Sequence, residues 1–157
     1  MIRWLFIPIV FLTLFAKSQV TFEYSDKDFV VGAIHRIAPL DYSTCFRLGN
    51  NVEDTIIDSI VIFMNQHPNL IIEVGSHTDS RGSSEYNLKL SEKRAESIVR
   101  KLISLGIDSS RLTFKGYGEE QPIISEELIS KTESSDEKER LYAVNRRNEL
   151  KIIKILE

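Results

Sequence analysis

Two polar clusters in this 157-residue chain hold the residue types that chemistry needs. The first runs Gly75-Ser-His-Thr-Asp79-Ser-Arg-Gly82 and continues into Asn87, Leu90, Ser91 and Arg94; the second is Asn145-Arg146-Arg147-Asn148. On a helix, Asn87, Leu90, Ser91 and Arg94 are three or four residues apart, so they share one face and span two turns, roughly 10 Å. Arg94 puts a charge on that face, and its planar fork suits a carboxylate. Asp79 lies in a loop that opens the same helix, where free backbone N–H groups favour negative charge. A carboxylate and a guanidinium with open space between them match a zwitterion. Spacing alone leaves a second arrangement open, in which Asp79 caps a turn and Arg94 forms an ion pair with it. His77 has no second His or Cys at ligand spacing and no nucleophile paired with it. A structural or hydrogen-bonding role is therefore expected of it, with no catalysis, no metal and no cofactor.

The elements that must position these residues are legible as hydrophobic patterns. Phe29 to Leu40 reads as a first strand, leading into Asp41, and 43–50 as a loop. Asn51 can cap a helix, with Glu53 and Asp54 in its first turn and Ile56, Ile57, Ile60, Val61 and Met64 at helical spacing until Pro68 stops it. Leu70 to Val74 reads as a strand in the middle of a sheet, and Gly75 to Ser84 as a polar loop. A second helix begins near Glu85. Its apolar stripe is Ala95, Ile98, Val99, Leu102 and Ile103, and Gly106 is placed as a C-terminal left-handed residue with Ile107 beyond it. Leu112 to Gly116 makes a third strand, followed by a turn at Tyr117-Gly118, and Glu149 to Leu156 the last. Between them, residues 126–139 carry six acids and two bases, the composition of a solvated loop or exposed helix rather than a binding surface. The order predicts an α+β fold, a two-layer sandwich with a mixed four-stranded sheet and helices on one face.

Composition bounds the rest. With 42% hydrophobic and 27% charged residues, one folded domain is expected. The start differs: Met1 to Arg3 is positive and Trp4 to Ala16 apolar apart from Pro8 and Thr13, too short to span a bilayer, which takes about 20 residues. Ala16-Lys17-Ser18 then offers small residues where a signal peptidase cuts, so residues 1–18 read as a signal peptide and 19–157 as the domain. Removing 1–18 leaves 18 basic against 23 acidic residues, without the basic excess that nucleic-acid binding requires. Cys45, the single cysteine, excludes an internal disulfide and any CxxC metal site.

Five motifs, in order, closely resemble the OmpA-like peptidoglycan-binding family. They are Gly75 to Gly82; Tyr86-Asn-Leu-Lys-Leu-Ser-Glu-Lys-Arg-Ala95; Gly106-Ile-Asp-Ser-Ser-Arg-Leu112; Gly116-Tyr-Gly-Glu-Glu-Gln-Pro122; and Asn145-Arg-Arg-Asn-Glu-Leu150. They cover about residues 70 to 156. The resemblance implies that Asp79 and Arg94 grip the diaminopimelate of a peptidoglycan stem peptide, and that Thr78, Asn87, Leu90 and Arg146 line the pocket. Asp41 resembles the Asp of the family's Phe-Asp motif, although Leu40 and Tyr42 depart from that motif, and the connection 123–144 is longer than usual. The location implied is the periplasm, associated with the cell wall and outer membrane of a Gram-negative envelope, with an outer-membrane or envelope protein as a further partner. Two other classes compete: a periplasmic protein-interaction domain of the same fold without wall binding, which gains if 126–139 covers the pocket, and a wall hydrolase, which needs a catalytic pair the sequence does not display.

Overall fold

The computed structural model describes residues 19–37 and 51–157, and of residues 51–54 the backbone alone. The expected signal segment 1–18, the end of the expected first strand, Asp41, Cys45 and the loop 43–50 lie outside the described residues.

Four strands, β1 (Ile34–Ile37), β2 (Leu70–His77), β3 (Leu112–Gly118) and β4 (Arg147–Ile155), form one mixed sheet in the order β1-β4-β2-β3. Two long helices, α1 (Asn51–Gln66) and α2 (Ser84–Ser104), supply the second layer. Ile57, Ile60, Phe63 and Met64 of α1 and Ala95, Ile98 and Leu102 of α2 close over Leu70, Ile72, Val74, Leu112, Leu150 and Ile152 of the sheet. This is the α+β sandwich that the order of elements predicts. The sheet is mixed as expected: β2 and β3 pair in parallel across α2, whereas β4 lies between β1 and β2 and runs antiparallel to both. The hydrophobic effect accounts for the insertion, because a central place leaves Leu150 and Ile152 fully buried.

Strand β2 runs three residues beyond its expected end. Gly75, Ser76 and His77 stay in the ladder because partners flank them on both sides, Lys115, Gly116 and Gly118 of β3 and Glu149, Asn148 and Arg147 of β4. The expected polar loop is thereby cut to a few residues. Strand β3 likewise continues through the expected turn at Tyr117-Gly118.

Helix α2 begins at its cap, Ser83, whose hydroxyl accepts from the Tyr86 N–H at 3.2 Å. It ends in a Schellman motif: the Ile107 N–H donates to the Leu102 carbonyl at 3.1 Å and the Gly106 N–H to that of Ile103 at 3.0 Å. Gly106 has φ of 97°, as its placement at the helix end requires, and Ile107 is buried. Ile103, expected in the core stripe, is 40% exposed instead. The buried face is Asn87, Ser91, Ala95, Ile98, Val99 and Leu102, one continuous stripe in which the polar residues occupy the first two turns. The polar residues and the core thus share one face of α2.

The charged connection folds as two short helices, α3 (Glu126–Lys131) and α4 (Ser135–Asn145). Each starts on a serine cap, Ser125 and Ser134, with two acidic residues in its first turn. Both are exposed along most of their length, α3 burying Ile129 and α4 only Asn145.

Candidate functional site

Nine polar or charged side chains are buried among the described residues, and all fall in three segments: Ser76 to Asp79, Asn87 with Ser91, and Asn145 with Asn148 and Glu149. These are the end of β2 with the turn after it, the first turns of α2, and the end of α4 with the start of β4. Glycines on β3 let those elements meet. A Cβ on Gly116 would sit 2.4 Å from the Glu92 backbone nitrogen, so only glycine allows α2 to lie this close to β3. The contact is sealed by the Gly118 N–H, which donates to Ser91 Oγ at 2.9 Å.

Asp79 is the centre of the polar network. The Arg81 N–H donates to its Oδ1 at 3.0 Å, which makes Asp79 the cap of its own turn. Its Oδ2 receives two guanidinium groups, Arg81 Nη2 at 2.7 Å and Arg146 Nη1 at 2.6 Å. Burial alone would raise the Asp79 pKa, but hydrogen bonds from Arg81 and Arg146 outweigh it and hold the carboxyl below its ordinary value. The turn-capping half of the simpler arrangement is therefore present, with Arg81 and Arg146 as the ionic partners in place of Arg94.

Of the sequence-predicted residues, Thr78, Asp79, Asn87 and Arg146 are brought together. The Asn87 side chain donates to the Asp79 carbonyl at 3.1 Å, and the Thr78 N–H donates to the Gly118 carbonyl at 2.9 Å. Leu90 and Arg94 lie half-buried on α2, one and two turns beyond Asn87. Among the described residues, Ser76 Oγ, Thr78 Oγ1 and Asn148 Oδ1 are the buried side-chain oxygens without a hydrogen-bond partner. Ser76 and Asn148 face each other in register across β2 and β4, and Thr78 follows Ser76 on the same side.

Sequence reasoning missed three contributors. Glu119 accepts from Asn87 Nδ2 and from Ser84 Oγ, each at 2.6 Å, and so fixes the start of α2 against the end of β3. Arg81, which sits inside the first motif, is the second cation on Asp79. Glu139 bridges the two guanidiniums, at 2.9 Å from Arg81 Nη1 and 2.7 Å from Arg146 Nη2. Glu126 accepts from Ser80 Oγ, and from Tyr142 Oη at 3.0 Å, while the Arg81 guanidinium lies 4.6 Å from the Tyr142 ring centre. The acidic run is exposed helix, as expected, yet two of its carboxylates engage the site rather than water alone.

His77 belongs to a second network on the helix-free face. Its ring stacks on Tyr117 at 4.8 Å and 3°, and its Nε2 lies 3.4 Å from Glu149 Oε2. Arg147 Nε donates to Glu149 Oε1 at 2.7 Å, and Tyr117 Oη to Glu73 at 2.7 Å. These contacts give His77 the structural role expected of it. Among the described residues, no three of His, Cys, Asp and Glu converge as a metal site.

Comparison with known proteins agrees with this architecture. The chain is 42% identical over 67 residues to outer membrane porin F of Pseudomonas fluorescens, covering 43% of this chain and 21% of that one. It is 33% identical over 92 residues to the peptidoglycan-associated lipoprotein of Buchnera aphidicola, covering 59% and 47%. It thus spans less than half the length of either relative. Among solved structures, the peptidoglycan-associated lipoprotein from Burkholderia pseudomallei superposes with a TM-score of 0.56 at 27% identity, over 71% of this chain and 85% of that one. The periplasmic domain of Helicobacter pylori MotB shares the fold, at a TM-score of 0.52 and 22% identity over 67% and 64% of the two chains. The OmpA family model matches residues 46–136, more than half of the chain, and the chain belongs to the OmpA family.

Proposed function

We propose that this domain is a non-catalytic binder of peptidoglycan that grips the diaminopimelate of the stem peptide. The observation that carries the reading is the buried polar cluster centred on Asp79, whose carboxylate accepts from Arg81 and Arg146 and whose carbonyl accepts from Asn87. A binding rather than a catalytic role accords with the family. Asp79 takes the ligand's ammonium through Oδ1, which accepts the Arg81 N–H and, as a carboxylate oxygen, can accept a second bond. Arg94 takes a carboxylate. Thr78, Asn87, Leu90 and Arg146 complete the pocket wall. The family and relatives support a place in the cell envelope, on its periplasmic side; export with cleavage after Ser18, association with the wall and outer membrane, and an envelope protein as further partner are part of the proposal.

A second reading, a protein-interaction domain without wall binding, is favoured by one observation: carboxylates of the acidic connection sit on Arg81 and Arg146 beside Asp79. Retention on purified sacculi separates the two. Truncating one partner of a charge-assisted contact removes about 1.5 to 3 kcal/mol, roughly a ten- to hundredfold loss in affinity. Asp79→Ala and Arg94→Ala should each nearly abolish retention with native far-UV circular dichroism. Arg94→Lys should recover little, because a point charge cannot reproduce the planar fork. Arg140→Ala, whose side chain is 80% exposed, should bind as the wild type does. If both alanine variants fold and still sediment with sacculi, the protein-interaction reading replaces this one.

A further inference from the structure

The two guanidiniums beside Asp79 each hold two carboxylates at once. On the inner side is Asp79, buried and fixed to its own turn; on the outer side is Glu139, whose side chain is 53% exposed. Glu139 spans both cations, one oxygen on Arg81 Nη1 and the other on Arg146 Nη2. Guanidinium forks are the groups with which proteins commonly recognise carboxylate ligands, and here two of them meet one carboxylate. Hydrogen bonds from Arg146 and Arg81 keep the Glu139 carboxyl below its ordinary pKa, so it is ionised in place.

What brings Glu139 there is charge rather than packing. Helix α4 buries only Asn145, at its last turn, and its other ties to the loop are the contact of Arg81 with the Tyr142 ring and the bonds of Tyr142 and Ser80 to Glu126 of α3. Exposed ion pairs of this kind are weak, and exchanging one carboxylate for another on the same two forks is nearly balanced. Helix α4 can therefore give up the position without cost to the core.

We infer that Arg81 and Arg146 form a carboxylate clamp whose built-in occupant is Glu139, and that a carboxylate of the stem peptide binds by displacing it. The inference rests on the stem-peptide reading above. Glu139 then sets the affinity: it fills the clamp when no ligand is present, and the ligand must compete with it. When a site is open only part of the time, the apparent dissociation constant is the intrinsic one divided by the open fraction. Removing the internal carboxylate opens the clamp fully.

The test uses the whole protein and a soluble tripeptide stem ending in diaminopimelate, titrated calorimetrically. Glu139→Gln keeps the size and hydrogen-bonding reach of the side chain but removes its charge, and should tighten binding roughly three- to tenfold. Glu133→Gln makes the same charge change at an exposed position between α3 and α4 and should leave affinity unaltered. In the wild type, adding the peptide should raise amide hydrogen exchange across residues 126–145 as α4 lets go. Equal or weaker binding by Glu139→Gln, with Asp79→Ala still abolishing it, overturns the clamp and leaves the stem-peptide reading standing. Unchanged binding by both Glu139→Gln and Asp79→Ala overturns the stem-peptide reading itself.

Discussion

Replacing Gly116 with alanine tests whether the close approach of α2 to β3 builds the site. The added Cβ would lie 2.4 Å from the Glu92 nitrogen, 2.8 Å from the Glu92 Cα and 2.7 Å from Ser91 Oγ. The first two are backbone atoms of a helix, so no side-chain rotation relieves them, and α2 must retreat by about 1 Å to reach ordinary van der Waals contact. Overpacking of this kind costs about 1 to 3 kcal/mol. Retreat also stretches the 2.9 Å bond from the Gly118 N–H to Ser91 Oγ, worth about 1 kcal/mol. The sum is about 2 to 4 kcal/mol, equivalent in a domain of this size to a fall in Tm of about 5 to 15 °C. Urea denaturation followed by circular dichroism measures it. Because Asn87 and Ser91 move with the helix, retention on sacculi should fall even where the variant is folded. A Gly116→Ala protein with the stability and retention of the wild type would refute the account of how α2 is seated.

Gly106→Val separates conformational strain from crowding, since φ there is 97° and an added Cβ meets nothing within 4 Å. It should cost about 1 to 2 kcal/mol in urea denaturation while sacculus binding persists, because the Schellman turn lies at the far end of α2 from Asp79. Acid stability should report Glu149, on which burial alone would raise the pKa but contacts with His77 and Arg147 bring it to about 2. A carboxyl with a depressed folded pKa stabilises above its unfolded value, and that contribution is lost as pH falls from about 4.5 towards 2. The urea midpoint of the wild type should therefore drop steeply between those pH values, and that of Glu149→Gln, already lower at pH 6, should drop less.

Much of this was legible because it is local. The start of α2 near Glu85 and its end at Gly106 rest on residues within a few positions of them, and the cluster containing Thr78, Asp79 and Asn87 converges within one strand, one turn and one helix start. What sequence could not show depends on distant partners. The extension of β2 to His77 needs β3 and β4 alongside, and the place of β4 between β1 and β2 needs the whole core. Ile103 fits the helical period yet falls at the margin of the buried face, where periodicity cannot tell a rim from a core. Arg81 and Glu139 are 58 residues apart, and Asp79 and Arg146 are 67 apart. In a run with six acids, nothing in the pattern marks Glu139 as the one that reaches the site.

The claim that the pocket reads diaminopimelate, rather than a peptide in general, is tested most directly by comparing two stem peptides. They differ in one group: one ends in diaminopimelate, the other in lysine, which keeps the side-chain ammonium and lacks its carboxylate. Asp79 can serve both ligands, whereas the side-chain carboxylate proposed for Arg94 is present only in the first. Wild-type protein should bind the diaminopimelate peptide about tenfold or more tightly over the lysine peptide, and Arg94→Ala should bind the two alike. Equal affinity of the wild type for both peptides would contradict the account.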